Sequence, residues 1–164
     1  MIETDAMVEQ YLSVCKLNPL WKKPGGDLQQ DINYLYLGML AEIGEVAEIF
    51  QKHVRDGVPI DPKDVLDELG DVAFYVHMLA AKGYGDVITC KMILGARIGV
   101  LPFDNNPISA LRTLRDMNLK DIYSVMVSIG QYYGFGLHEI LAANVTKLKR
   151  RIKNGSIRGS GSHR

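Results

Sequence analysis

The chain has 164 residues, 47% hydrophobic and 23% charged, enough for a single domain with a sizeable core. No apolar run is long enough for a helix to span a bilayer, so no membrane-crossing helix is expected. Cys15 and Cys90 form no C-x-x-C pair and read as reduced core residues rather than a staple.

The N-terminal stretch MIETDAMVEQ is acidic and unlike a signal peptide, so a cytoplasmic protein is expected. Next comes the loop Trp21-Lys22-Lys23-Pro24-Gly25-Gly26. An aromatic beside lysines suits base stacking and phosphate contact, and a hydrophobic anchor equally well, which makes Trp21 and Lys22 candidate substrate-binding residues. The first amphipathic helix is predicted from the stripe Tyr36, Leu40, Ile43, Ala47, Phe50, Val54, widened by Met39 and Val46. Asp56-Gly57 ends it. Asp61 suits an N-cap and Pro62 the first helical position, and a second stripe runs Val65, Leu66, Leu69, Val72, Ala73, Val76, Leu79, Ala80. Such a pair predicts an antiparallel hairpin.

Four carboxylates stand on these two helices in matched clusters, Glu42-Ile43-Gly44-Glu45 and Glu68-Leu69-Gly70-Asp71. With Ile43 and Leu69 as stripe centres and about 100 degrees per residue, Glu42 and Glu68 each precede the centre by one position. Glu45 and Asp71 each follow it by two, so both pairs occupy the same flank of their helices. Most Glu and Asp residues are solvated surface groups, and one E-x-x-E alone would be read so. Two copies in identical phase point instead to a cation among them, and hard Mg2+ or Mn2+ prefers such oxygen ligands. Glu48, Asp64 and Asp67 lack the paired phase and read as solvated face or cap residues. Gly44 and Gly70 lie on another side, where a missing side chain would permit close helix approach.

From Gly83 to about Tyr132 the pattern stays helical. Val87, Ile88, Met92, Ile93, Ala96 and Ile98 form one apolar segment, and Ile108, Leu111, Leu114 and Met117 another. Leu101-Pro102-Phe103-Asp104-Asn105-Asn106-Pro107 is a break, and Asn118 to Asp121 opens a third helix with Ile122, Val125, Met126 and Ile129. In the last helix Asn144, Lys147 and Arg151 share one face, with Arg150 beside it, while Leu141, Val145 and Leu148 point elsewhere as its buried stripe. All 19 acids precede residue 147, whereas 7 of the 19 basic residues lie from Lys147 onward. The body therefore carries 12 basic against 19 acidic groups, or −7, and the end +7. A basic end is the footprint of nucleic-acid binding, of a favourable helix-dipole contact, or of a triphosphate bridging it to an acidic centre. Residues 155–164, rich in Gly and Ser, read as a flexible basic tail.

Other constellations fail. The four histidines, His53, His77, His138 and His163, give neither H-x-x-x-H nor E-x-x-H, which disfavours a zinc hydrolase or a di-iron bundle, and no Walker-A loop is present.

With E-x-x-E, a spacer and E-x-x-D standing as Glu42, Glu45, Glu68 and Asp71, the chain resembles the MazG-like all-α nucleoside triphosphate pyrophosphohydrolases, phage-type members in particular. The likeness covers roughly residues 33–82 and 120–153, and the segment at about 83–132 is an insertion relative to compact members. It implies one all-α, MazG-like bundle over 1–154, its antiparallel acidic helices completed by oligomerisation as a homodimer or homotetramer. It also implies hydrolysis of a (d)NTP to (d)NMP and pyrophosphate with two or more Mg2+ or Mn2+ ions. Glu42, Glu45, Glu68 and Asp71 would be metal ligands and catalytic residues, with Glu45 or Glu42 a candidate base. Asn144, Lys147 and Arg150 or Arg151 would hold phosphate oxygens. The Gly-Ser-Gly ending is phage-like, favouring dGTP or GTP and a host cytoplasm. The alternative is a nucleotide- or nucleic-acid-binding regulatory protein with a structural acidic cluster.

Overall fold

Every regular element in the computed structural model is an α-helix, within the residues it describes: 5–17, 27–97, 106–114 and 118–154. The Trp21, Lys22 and Lys23 loop, the stretch 98–105, Met117 and the tail 155–164 lie outside the described residues. No helix among the described residues is long and apolar enough to cross a membrane.

The first helix, α1 (Ala6–Cys15), is absent from the elements read from sequence. It starts at Asp5, whose carboxylate accepts from the Met7 amide at 2.9 Å, and it buries Val8, Tyr11, Leu12 and Cys15. That spacing is one helical face. Next, α2 (Leu28–Asp56) begins at an Asp27 cap, two turns before the stripe at Tyr36. It ends where Gly57 takes φ 68°, a left-handed cap that costs a residue without Cβ little. After a short loop, α3 (Pro62–Ala81) starts at the Asp61 cap with Pro at its head. Lys82 at the end of α3 binds Asp31 at the start of α2 at 2.6 Å, so the two helices run antiparallel.

Two details of the helical faces differ from the sequence reading. On α2 the buried line is Leu35, Met39, Ile43, Val46 and Phe50, while Ala47 is exposed and Val54 is 70% exposed. The bundle lies on the Met39 and Val46 side of the stripe. The Ala47 and Val54 side faces an open groove of about 550 Å³, closed on its far wall by Ile108 and Leu111 of α5 (Pro107–Arg112). On α3 burial is nearly continuous from Leu69 to Ala80, with Tyr75 the exception, because α1, α2, α4, α6 and α7 all pack on it. Removing a side chain such as Leu69 to Ala from this position costs ~2–5 kcal/mol.

The segment 83–132 supplies core rather than an appendage. α6 (Leu119–Tyr132) buries every residue from Ile122 to Gly130 and packs on α3. α4 (Val87–Leu94) starts at Asp86, which turns its first residues outward, so Val87 and Ile88 are 63% and 80% exposed and Thr89, Cys90, Ile93 and Leu94 are buried instead. The final helix, α7 (Leu137–Lys153), buries Leu137, Ile140, Leu141, Asn144 and Leu148 against α3 and α1, leaving Val145 half-buried. A Cβ on Gly70 would stand 3.1 Å from Asn144 Cβ and 3.5 Å from the Ile140 carbonyl oxygen. Gly70 therefore admits α7 at close range. Gly44 has nothing within 4 Å and serves no such approach.

Candidate metal centre

Glu42 comes from the middle of α2, and Glu68 and Asp71 from the first half of α3. Because the helices run antiparallel, the three meet: an oxygen from each lies within 4.8 Å of one from each of the others. Oxygens bond hard divalent cations at ~2.0–2.6 Å, so three carboxylates gathered this closely are a candidate donor set for one ion. Glu42 and Glu68 are half-buried and Asp71 is only 8% exposed. Glu45 does not join the group and is exposed. The cause is the asymmetry between the hairpin helices. α3 is covered on several sides, whereas α2 is at the edge, so a residue two past its stripe centre faces solvent.

Charge crowding is visible in the ionisation of the two glutamates. Burial, then the charges of Asp71, Glu45 and Glu68, push the Glu42 carboxyl up to about 7, with Lys147 pulling the other way. Burial likewise pushes Glu68 up to about 7, against the pull of Lys147 and with Glu45, Asp71 and Asp67 adding to the rise. Glu45 thus belongs to the field of the cluster although its oxygens lie outside the three-carboxylate set.

Asp71 is the most heavily engaged member. Its Oδ1 accepts from Asn144 Nδ2 at 2.8 Å, and its Oδ2 accepts from Lys147 Nζ at 2.5 Å. Arg151 Nη2 approaches the same Oδ2 at 3.9 Å. The ammonium of Lys147 occupies the cation role at this carboxylate.

The shared face expected for Asn144, Lys147 and Arg151 therefore does meet the acids, but its members differ in character. Asn144 is 2% exposed and belongs to the buried line of α7, with both ends of its amide bonded, since its Oδ1 accepts from the Tyr11 hydroxyl at 2.8 Å. Lys147 is half-buried and Arg151 exposed at the rim. Arg150 is exposed and makes no ion pair with a described residue, so the geometry favours Arg151 over it. Trp21 and Lys22 lie outside the described residues. Tyr11 is the site-linked residue that the sequence reading missed. The Asp5 cap followed by Val8, Tyr11, Leu12 and Cys15 was the signal that could have placed it on a buried helical face.

Comparisons with protein-family models, with curated proteins and with solved structures gave no match to this chain.

Proposed function

We propose that the protein is a metal-dependent nucleoside triphosphate diphosphatase, cleaving a (d)NTP to (d)NMP and pyrophosphate. The observation that carries this reading is the convergence of Glu42, Glu68 and Asp71 beside the basic pair Lys147 and Arg151. A catalyst for triphosphates needs both signs at one place: acids for the cations, and cations for the phosphate oxygens. The resemblance carried by the E-x-x-E and E-x-x-D pattern selects this reaction among those that such a site can serve.

Bound Mg2+ or Mn2+, two or more per site, would supply charge neutralisation and a water of lowered pKa for in-line attack at the α-phosphorus. Glu42, Glu68 and Asp71 would hold the ions. Glu45, exposed at the edge of their field, would bind an outer ion or accept the proton of the attacking water. Lys147 and Arg151 would exchange Asp71 for the triphosphate, each making a charge-assisted bond to a non-bridging oxygen. Asn144, with both amide ends occupied, is assigned to Asp71 rather than to phosphate. Guanine deoxynucleotides are the first substrates to test. The apolar α2–α5 groove with its exposed Val54 suits assembly as a homodimer or homotetramer, which light scattering would detect.

Ranking of carboxylate variants tests the site. Asp71→Asn should abolish hydrolysis with the fold retained, and Glu45→Gln should reduce it less. Near wild-type hydrolysis in Asp71→Asn would end this reading. Unchanged hydrolysis after loss of Lys147, together with salt-sensitive nucleic-acid binding by the wild type, would favour the regulatory alternative.

A further inference from the structure

We propose that Tyr11 and Asn144 are positioning residues that fix which oxygen of Asp71 faces the cation. The inference rests on the metal-dependent reading above and adds a role for α1 that the acidic helices do not reveal.

The chain of contacts is buried throughout, with Tyr11 and Asn144 each 2% exposed and Asp71 8%. An ionised carboxylate only accepts hydrogen bonds, so Asn144 must turn its nitrogen to Asp71, as the 2.8 Å contact to Oδ1 shows. Its amide oxygen then points away into the interior and needs a donor. Tyr11 supplies one at 2.8 Å, and burial pushes the pKa of that hydroxyl well above its usual range, so the proton stays on it. Without the hydroxyl, the amide loses the partner that opposes its flipping, and a flipped amide would set oxygen against oxygen at Asp71.

Tyr11 is held in turn by α3. Its ring meets the edge of the buried His77 ring with centroids 5.4 Å apart at 73°. His77 bonds through Nδ1 to the Ala73 carbonyl oxygen at 2.8 Å, and Ala73 stands two residues after Asp71 on the same helix. A closed circuit results: α3 clamps Tyr11 on α1, Tyr11 orients Asn144 on α7, and Asn144 holds Asp71 back on α3. Gly70 permits the last step by letting Asn144 approach. With Oδ1 taken by the amide, Oδ2 is left to face a cation, and it is Oδ2 that Lys147 binds. Asp71 is thereby built to offer one defined oxygen.

The test is Mn2+ binding, followed by electron paramagnetic resonance, to the full-length wild type, Tyr11→Phe, Asn144→Ala and the double variant, with melting in EDTA recorded for each. Partners that orient a metal ligand change metal affinity by ~10–100-fold, and a tenfold loss is expected for each single variant. Because Tyr11 acts through Asn144, the double variant should bind no more weakly than Asn144→Ala alone. A general loosening of α1 would instead give losses that multiply. Wild-type affinity in a folded Tyr11→Phe, or multiplicative losses in the double variant, overturns the proposal. If Tyr11→Phe does not fold, wild-type affinity in Asn144→Ala overturns it. A wild type that binds no Mn2+ removes the metal centre itself and this role with it, whereas Mn2+ binding indifferent to both substitutions removes the positioning role alone.

Discussion

Replacing Glu42 by Gln should stabilise the metal-free protein at alkaline pH and abolish its stabilisation by metal. The wild-type carboxyl titrates at about 7 in the folded state against an ordinary 4.5, raised first by burial and then by Asp71, Glu45 and Glu68. A carboxyl whose folded pKa is raised keeps its proton longer in the folded than in the unfolded chain. Stability therefore falls as pH rises from about 4.5 to about 7, and stays reduced above that window. The full difference corresponds to ~3.4 kcal/mol at ~1.36 kcal/mol per pH unit, and partial exposure of Glu42 reduces the expected effect to roughly 1–2 kcal/mol. Gln carries no charge, so Glu42→Gln should exceed the wild type by that amount at pH 8 in EDTA and match it near pH 4.5. Urea denaturation at the two pH values measures the difference; titrating groups distant from the cluster cancel in the comparison, while the coupling of Glu42 to Asp71, Glu45 and Glu68 is part of what is measured. Saturating Mn2+ should reverse the order, since an ion at 100 times its Kd adds ~2.7 kcal/mol to a protein that binds it only when folded. A Glu42→Gln variant less stable than the wild type at pH 8 without metal would refute the reasoning from crowded charge.

Lys147→Ala should lower turnover by roughly ten- to a hundredfold, through loss of a charge-assisted contact of ~1.5–3 kcal/mol, with Lys149→Ala as the unaffected control in the same kinetic assay. Gly70→Ala places a methyl group 3.1 Å from Asn144 Cβ, and calorimetry should show a loss of ~1–3 kcal/mol together with weaker Mn2+ binding as α7 is displaced. His77, fully buried and held down to about 4 by that burial, stays neutral in the folded state while the unfolded chain takes up a proton below about 6.5. Stability should therefore fall as pH drops from 6.5 toward 4, and His77→Gln should remove this component of the slope whatever its own absolute stability.

The hairpin was readable because its signals were local: an apolar stripe on each helix, Asp61 and Pro62 at one start and Gly57 at one end. Placing four acids on matching flanks needed only the helical repeat. What the repeat does not contain is which side of a helix has neighbours. Asp71 and Glu45 hold equivalent phases, yet one is buried and the other exposed, because α3 is surrounded and α2 is an edge. The same ignorance of neighbours misplaced Val54, Val87 and Ile88, all of which face outward. Asn144 illustrates a third limit. The resemblance implied a phosphate contact for it, but an amide flanked by Leu141 and Leu148 is buried by α1 and α3, and its partners Tyr11 and Asp71 are 133 and 73 residues distant in sequence. Pairings at that range come from the packing of three helices.

Product analysis tests the central claim most directly. The full-length protein is incubated with each NTP and dNTP in water labelled with 18O, with Mg2+ or Mn2+ present, and the phosphorus-containing products are separated and weighed by mass spectrometry. The account predicts a nucleoside monophosphate carrying the label and intact, unlabelled pyrophosphate, formed only when metal is present. Release of orthophosphate with a nucleoside diphosphate, or no turnover of any nucleotide with either metal, would contradict it.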